Sequence, residues 1–275
     1  MASQTLPYYD SSARREPIRD EIRELWRYRN LIVHMVKRNI TARYKRSLLG
    51  VLWTLLDPLL TMLVMAVVYG ALFRVDIKAF PVFLLAGLTV WTFISQASTD
   101  AMTGLMYSAS LVGQVFMPKS VFAVVAVGTG LVNLVLSLGP LFVFVLAFGR
   151  PITATLLFIP VALVIISAFT LGIGLIMSAL AVFFADMINI YNFIMRLGLF
   201  VSGIFYYVDQ LPTSLQLFVR INPAYHLIRI FRDPVYEGLL PRWELVAYGS
   251  AWALFSFIVG FWVFDRFSDE YAYHI

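Results

Sequence analysis

The sequence predicts an all-α membrane protein with six transmembrane helices. Of its 275 residues, 60% are hydrophobic and only 13% are charged, whereas globular domains have about 25% charged residues. Its mean hydropathy is +0.81. Several apolar runs, separated by short polar turns, exceed the roughly 20 residues that a helix needs to cross a bilayer. Composition and run length together therefore predict a polytopic helical protein.

The distribution of basic residues predicts the orientation. Eleven of the 21 Lys and Arg residues precede Ser47, and the apolar run that follows reaches Phe73 with Asp57 as its only charge. Excess Lys and Arg beside a first span usually stay in the cytoplasm, so six spans leave both termini cytoplasmic. This bias explains the net charge of +5 better than a nucleic-acid partner does. The absence of cysteine excludes disulfides and thiolate metal sites.

Residues 1–47 are predicted to form a cytoplasmic tail and an amphipathic interface helix. Pro17 suits a first helical position, and Asn39-Ile40-Thr41 predicts a break. A helix lying among lipid headgroups and a docking face for a cytosolic partner both fit this segment. Apolar residues recur there at steps of three and four, namely Ile18, Ile22, Leu25, Trp26, Ile32 or Val33, Val36 and Ile40.

Residues 48–265 are predicted to form the transmembrane domain, followed by a cytoplasmic tail at residues 266–275. The turn signal Phe148-Gly149-Arg150-Pro151 divides the long apolar stretch between Lys119 and Asp186 into two spans. The fifth span begins after the turn at residues 186–189. The predicted spans cover residues 49–73, 80–106, two segments between 119 and 186, a segment ending at about 207, and 245–264.

The segment at about residues 209–236 differs from the spans. Residues 211–221 and 224–231 are apolar-rich, but each is about half a crossing long, and Asn222-Pro223 divides them. Backbone that enters a bilayer without crossing it needs protein or water around it. We therefore predict two short re-entrant helices before the last span.

The sequence offers no catalytic or metal site. It lacks the G-x-x-x-x-G-K-[ST] nucleotide loop, so the chain cannot hydrolyse ATP by that route, and its three histidines are isolated. We predict no cofactor in this chain. Ionisable residues within spans are usually functional because their burial is costly, and Asp57, Asp100 and Arg196 are the candidates. For each of them, a side chain that snorkels toward the membrane interface is the alternative.

Three motifs, in this order along the chain, resemble the permease subunits of bacterial surface-polysaccharide ABC exporters. The first is Arg43-Tyr44-Lys45-x-Ser47-x-Leu49-Gly50-x-Leu52-Trp53 followed by Pro58-Leu59-Leu60. The second is Phe116-Met117-Pro118-Lys119. The third is Asn222-Pro223-Ala224-Tyr225-His226-Leu227 with Arg229 and Arg232-Asp233.

The resemblance implies a transport role in a bacterial inner or plasma membrane. Members of this family have six spans and two re-entrant helices, and they form homodimers that join two copies of a separate ATPase subunit, which holds ATP and Mg. They move an undecaprenyl-linked glycan outward, such as O-antigen, capsule or teichoic acid. The resemblance thus implies membrane lipid, a second copy, the ATPase and the glycan as partners.

Two groups of residues are predicted to serve this transport. Flat amphipathic rings can pack against sugar faces, and guanidinium groups bind phosphate in bidentate fashion. The predicted substrate pathway contains Trp53, Asp57, Tyr69, Phe73, Arg196, Phe205, Tyr206, Tyr207, Arg229 and Arg232. For the arginines, pairing with Asp209, Asp233, Glu237 or headgroups is the alternative. The predicted ATPase-docking surface contains Leu111, Val112, Val115, Phe116, Pro118, Lys119, Arg43 and Arg46.

Other functions stay open at this point. A proton-coupled transporter needs mid-membrane carboxylates, for which Asp57 is a candidate, but no inverted repeat of interrupted helices is evident. A glycan or lipid transferase needs paired acids or a basic catalytic loop, and the loops here are too short. Among ABC exporters, a drug or lipid permease is the alternative.

Overall fold

The computed structural model describes most of the chain, and the regular elements in that part are helical. The described residues are 17–45, 59–65, 67–68, 80–107 and 117–267, with Leu56 and Tyr271. The helices are α1 (Pro17–Arg27), α2 (Arg29–Tyr44), α3 (Phe80–Tyr107), α4 (Ser120–Ala147), α5 (Ile159–Phe183), α6 (Met187–Val201), α7 (Thr213–Ile221), α8 (Pro223–Arg232) and α9 (Trp243–Arg266).

Four segments in the described part are long and apolar enough to cross a membrane: α3, α4, Ala154–Phe183 and α9. Even α9, at 24 residues, is about 36 Å long, which exceeds the roughly 30 Å of a hydrocarbon core. The chain is therefore a multi-pass membrane protein. The predicted first span lies largely outside the described residues, although residues 59–65 are helical and Met62 is buried in the core.

The helix α6 differs from its predicted extent. The sequence predicts a fifth span that reaches about Tyr207, but the helix ends at Val201 after 15 residues, or about 22 Å. Gly203 adopts a left-handed φ of 70°, which favours glycine and lets the chain turn before Tyr206 and Tyr207. The helix alone is therefore too short to cross the bilayer.

The core is organised around α3. In its most apolar window, 83% of the residues are buried, compared with 28 to 44% in the other three candidate spans. It packs against α4, α5, α6 and α8. The outer helices thus surround α3 and expose apolar faces that suit a lipid environment.

Small residues bring α5 and α9 close together. A Cβ atom added to Gly172 would overlap the backbone of Ser256, and one added to Gly260 would overlap Gly172. The Ser256 hydroxyl donates a hydrogen bond to the Phe169 carbonyl over 3.3 Å. This is the usual mode of helix association within membranes, where small residues let backbones approach.

The N-terminal helices lie at one end of the bundle, which we call the α2 end. It also holds the end of α3 and the start of α4, because Phe122 and Leu105 share a buried cluster that Leu25 and Met35 cover. The predicted break at residues 39–41 is wrong: α2 continues through them to Tyr44, and the irregularity lies at Tyr28. The propensity cost of Asn or Thr is only about 0.7 kcal/mol, so packing against α4 outweighs it.

The opposite end of the bundle, which we call the α8 end, holds the start of α3 together with α7, α8 and the start of α9. It shows two short helices that meet at Asn222-Pro223, as the sequence predicts. Whether they enter the membrane stays a prediction, as does the division of the chain at residues 47 and 265.

Candidate functional site

The junction of α7 and α8 is built by local capping chemistry. The Asn222 side-chain oxygen accepts a hydrogen bond from the Ala224 backbone N–H over 3.0 Å, which satisfies one free donor at the start of α8. Pro223 occupies the first turn, where a missing N–H costs nothing. The Asn222 side-chain nitrogen donates to the Val201 carbonyl over 3.4 Å, so the same residue also ties α8 to the end of α6.

Replacing Asn222 with alanine should lower the free energy of unfolding by about 1 kcal/mol, the usual cost of losing an N-cap acceptor. Asn222→Asp keeps the acceptor, and a carboxylate is favourable at a helix N-terminus, but it loses the donor to the Val201 carbonyl, so it should retain part of that stability. Thermal unfolding of the detergent-purified chain measures both variants. An Asn222→Ala midpoint equal to the wild-type value would contradict the assigned role of the cap.

Arg232 is buried at the end of α8. It is 2% exposed, and its Nη1 donates to the Gly203 carbonyl over 3.0 Å. Its guanidinium carbon lies 3.7 Å from the centre of the Phe83 ring, which is a close cation–π contact. Nε and Nη2 have no hydrogen-bond partner. Gly87 of α3 provides the space, since a Cβ there would overlap Nη2.

The burial of Arg232 perturbs its ionisation. Loss of water contact, and then repulsion from Arg229, lower the pKa of Arg232 from 12.5 to about 9. The guanidinium is therefore still charged at neutral pH. A buried charge without full hydrogen bonding is costly, and the contacts with the Phe83 ring and the Gly203 carbonyl offset part of that cost.

Aromatic rings extend this contact into a cluster of Phe83, Arg150, Tyr207, Arg232 and Tyr236, which we call the arginine–aromatic cluster. The Phe83 ring centre lies 4.5 Å from that of Tyr207 and 5.4 Å from that of Tyr236. The hydroxyls of Tyr207 and Tyr236 are hydrogen-bonded over 2.9 Å, and Arg150 lies 4.1 Å over the Tyr236 ring. The cluster joins α3, the loop after α4 and the turns after α6 and α8.

Two other arginines at this end, Arg229 and Arg220, are paired with acids. Arg229 donates two hydrogen bonds to Asp233, over 2.7 and 3.2 Å, and also approaches Glu237. Burial raises the pKa of Asp233, and the Arg229 guanidinium opposes that rise. Arg220 pairs with Asp209 over 3.0 Å at the surface, where such pairs contribute at most about 1 kcal/mol.

The α2 end carries a polar cleft between α2, α3 and α4. Its volume is about 370 Å³, and its lining includes Arg38, Asn39, Arg43, Asp100 and Thr103. Arg43 Nη2 lies 3.5 Å from an Asp100 carboxylate oxygen. Asp100, which the sequence identifies as a candidate intramembrane acid, thus pairs with a basic residue of the interface helix.

One face of α6 packs on α3, and the other face is exposed. On the packed side, the hydroxyls of Tyr191 and Ser98 lie 2.6 Å apart, and Gly198 accommodates the Trp91 ring. Arg196 is on the exposed side, and within the described part of the chain it has no hydrogen bond or ion pair. Its exposed neighbours are apolar, namely Phe193, Ile194, Leu197 and Phe200.

Residues 30–236 match the family described as ABC-2 type transporter. The chain belongs to this family. Curated relatives include "O-antigen export system permease protein RfbA" from Myxococcus xanthus, 30% identical over 91% of this chain and 97% of the relative. "Capsule polysaccharide export inner-membrane protein CtrC" from Neisseria meningitidis is 25% identical over 87% and 92%. "Polysialic acid transport protein KpsM" from Escherichia coli is 24% identical over 81% and 88%.

Within the ABC-2 region, the predicted pathway residues that the structure describes lie at the α8 end, except Arg196. Phe205 is buried, with its ring centre 5.5 Å from that of Phe200, and the Tyr206 hydroxyl donates to the Phe200 carbonyl over 2.9 Å. Tyr207 and Arg232 share the arginine–aromatic cluster. Four other predicted pathway residues lie outside the described residues: Trp53, Asp57, Tyr69 and Phe73.

Three of the predicted ATPase-docking residues, Arg43, Pro118 and Lys119, lie within the described part of the chain. Pro118 is buried, and Lys119 lies 5.4 Å over the Tyr271 ring at the α2 end. Arg43 faces the polar cleft. The remaining predicted docking residues fall outside the described residues: Arg46, Leu111, Val112, Val115 and Phe116. Their roles stay predictions.

Two members of the arginine–aromatic cluster, Arg150 and Tyr236, are not among the predicted site residues. No pattern in the sequence points to Tyr236, and Arg150 is predicted only as part of a turn. One feature of the sequence does mark Arg150 as unusual: it is the only charged residue between Lys119 and Asp186. Its contact with Tyr236 joins residues 86 positions apart, which no local pattern reports.

Proposed function

We propose that this chain is the permease subunit of an ATP-driven ABC exporter that moves a lipid-linked surface polysaccharide outward across the bacterial inner or plasma membrane. The observation that carries this proposal is the nearly full-length likeness to the O-antigen export permease RfbA, which extends over 97% of that relative. The capsule export protein CtrC supports the same class of cargo. O-antigen, capsule and teichoic acid are the candidate polymers.

We propose a topology of six spans with both termini in the cytoplasm. The basic helix α2 supports a cytoplasmic α2 end, because Lys and Arg beside a first span are retained inside. The short helices α7 and α8, of 9 and 10 residues, are each about 15 Å long and cannot cross. A re-entrant pair in the outer leaflet, between α6 and α9, fits their length, the exposed apolar residues of α7 and the burial of α8.

We also propose a homodimer in which α6 faces the axis. Insertion of an arginine at the centre of a lipid-facing helix costs at least about 2.5 kcal/mol, so the exposed Arg196 disfavours lipid around this face of α6. A second copy, with a hydrated path between the two, would surround Arg196 and the apolar residues beside it. The pathway residues Tyr206 and Tyr207 follow at the outer end of the same helix.

Arg196→Lys should reduce export while leaving dimer assembly intact, because lysine keeps the charge but cannot bind a lipid diphosphate in bidentate fashion. Loss of one charge-assisted contact, about 1.5–3 kcal/mol, corresponds to a reduction of about 10- to 100-fold. Surface polymer per cell measures export, and crosslinking measures assembly. Arg266→Lys, an exposed change on α9, is the matched control. Full export by Arg196→Ala would exclude the role.

The proposed partner is a separate ATP-binding subunit, present in two copies, that holds ATP and Mg. The ABC-2 family consists of transport membrane subunits, so the chemical energy must reach this chain through contacts at its cytoplasmic end. We propose residues 111–119 as the main docking segment. Arg43, Arg46 and the rest of residues 30–46 would form a flanking contact.

The proposal can be tested in the cells that carry this chain. Deletion of the chain should remove the polysaccharide from the surface and leave polymer on its lipid carrier inside the cell, and re-expression should reverse both effects. Lectin or antibody labelling of intact and permeabilised cells separates the two pools. Normal surface polysaccharide after deletion, together with loss of efflux of a drug or a simple lipid, would favour the alternative permease class.

A further inference from the structure

A cavity separate from the arginine–aromatic cluster opens between α7, α8 and the start of α9. Its volume is about 320 Å³, at the lower end of the roughly 300–1,000 Å³ of small-ligand sites. The lining includes Tyr225, His226, Arg229, Arg242, Glu244 and Tyr248. We call it the α8–α9 pocket, and it has room for a ligand of one or two sugar units.

The inner wall of this pocket is aromatic. The His226 ring centre lies 5.4 Å from that of Tyr225 and 5.5 Å from that of Tyr248. The Tyr248 side chain is 60% exposed, so its ring offers a free face, whereas His226 and Tyr225 are buried behind it. Such a ring is flat and apolar with a polar hydroxyl at one end, which suits a ligand that has both C–H faces and hydroxyl groups.

His226 contributes an uncharged surface. Its Nε2 lies 2.7 Å from the Arg220 carbonyl oxygen, and because a carbonyl only accepts hydrogen bonds, Nε2 carries the proton. Burial lowers the pKa of His226, so the ring is neutral at neutral pH and Nδ1 is left as an acceptor. Nδ1 has no hydrogen-bond partner.

The polar rim carries nearly balanced charge. Arg220 is already held by Asp209, and Arg229 by Asp233. Within the described part of the chain, the side chains of Arg242 and Glu244 have no hydrogen-bond or ion-pair partner. Both are exposed, and they flank Trp243 in the sequence. A phosphate site would offer several unpaired cations, whereas this rim offers one free donor group and one free acceptor group.

We propose that the α8–α9 pocket is a saccharide subsite that holds one or two sugar residues of the exported polymer as it leaves the α8 end. The pyranose C–H face lies against Tyr248, and the ring hydroxyls donate to Glu244 and accept from Arg242. This inference rests on the proposed export of a polysaccharide. The balanced rim and the aromatic wall together select a neutral polyhydroxyl ligand over a phosphate.

The test is saturation-transfer NMR on the full-length chain in detergent. The probes are oligosaccharides released by mild acid from the surface polysaccharide of the cells that carry this chain, with inorganic phosphate as the second probe. We expect saturable oligosaccharide binding that falls at least about tenfold in Tyr248→Ala and in Arg242→Gln, as loss of a contact of about 1.4 kcal/mol gives. The matched control is Trp252→Ala, one helical turn along α9 and outside the pocket lining.

Each result of this binding experiment either supports or overturns the saccharide subsite. Equal oligosaccharide binding by the wild type and both pocket variants, or no saturable binding, overturns the subsite. Binding of inorganic phosphate that Arg242→Gln removes, without oligosaccharide binding, also overturns it and indicates an anion site. Surface polymer measured in the same strains separates this result from the proposed function, because normal export by the wild type with an empty pocket leaves the export proposal intact.

Discussion

Replacing both Val115 and Phe116 with glutamate should abolish export and release the ATP-binding subunit, while the permease still inserts and dimerises. These residues lie outside the described part of the structure, but their flanks are defined: α3 ends at Tyr107, and α4 begins at Ser120 at the α2 end. Truncation of a buried interface anchor costs about 2 kcal/mol or more, and a buried unpaired carboxylate costs still more. Co-purification of the ATP-binding subunit measures the loss.

The control for this experiment is a pair of exposed leucines at the other end of the molecule. Leu239 and Leu240 are 60% and 63% exposed in the loop before α9. Their replacement by glutamate adds the same charge to neighbouring apolar residues, and it should leave binding of the ATP-binding subunit unchanged. Wild-type binding and export by the Val115→Glu/Phe116→Glu chain would move the docking surface elsewhere, first to the N-terminal helix α2.

Gly87→Ala should reduce both stability and export, because the added methyl group would overlap the buried Arg232 guanidinium. Overpacking of this kind costs about 1–3 kcal/mol. The side chain would have to leave either the Phe83 ring or the Gly203 carbonyl. Thermal unfolding and surface polymer measure the two effects.

Two further variants identify the cause. Gly104→Ala is the matched control on the same helix, since its Cβ would meet only Phe122, at an ordinary contact distance of 3.9 Å. The pair Gly87→Ala with Arg232→Met should recover stability, because methionine is flexible and fills irregular space. If Gly87→Ala behaved like the wild type, or if Arg232→Met failed to rescue it, the assigned packing of Arg232 would be contradicted.

Some of this architecture could be predicted because its determinants are local. Uninterrupted apolar length defines α3, α4, α5 and α9, and the Asn222-Pro223 pair both ends α7 and caps α8. The same local pattern fails at α2, where Asn39 and Thr41 predict a break that contacts with α4 prevent. A small propensity cost therefore does not decide a helix boundary when tertiary packing opposes it.

The candidate sites depend on contacts between distant positions. Arg232 could be identified as an unusual charge, but its location over Phe83 depends on the turn at Gly203 and the space at Gly87. The sequence likewise allowed Arg229 to bind either a substrate phosphate or a nearby acid, and the structure pairs it with Asp233. The pairing of Asp100 with Arg43 joins residues 57 positions apart, and no periodicity in the sequence reports it.

The most direct test of the central claim is transport by the purified complex of this chain and its ATP-binding subunit in liposomes with the same pH and salts on both sides. Lipid-linked polysaccharide is supplied to the side on which α2 lies, and transfer is measured as polymer that an added glycosidase on the other side can digest. We expect transfer that requires ATP and Mg and that stops when the ATP-binding subunit is omitted. Transfer driven by a pH gradient without ATP would contradict the account.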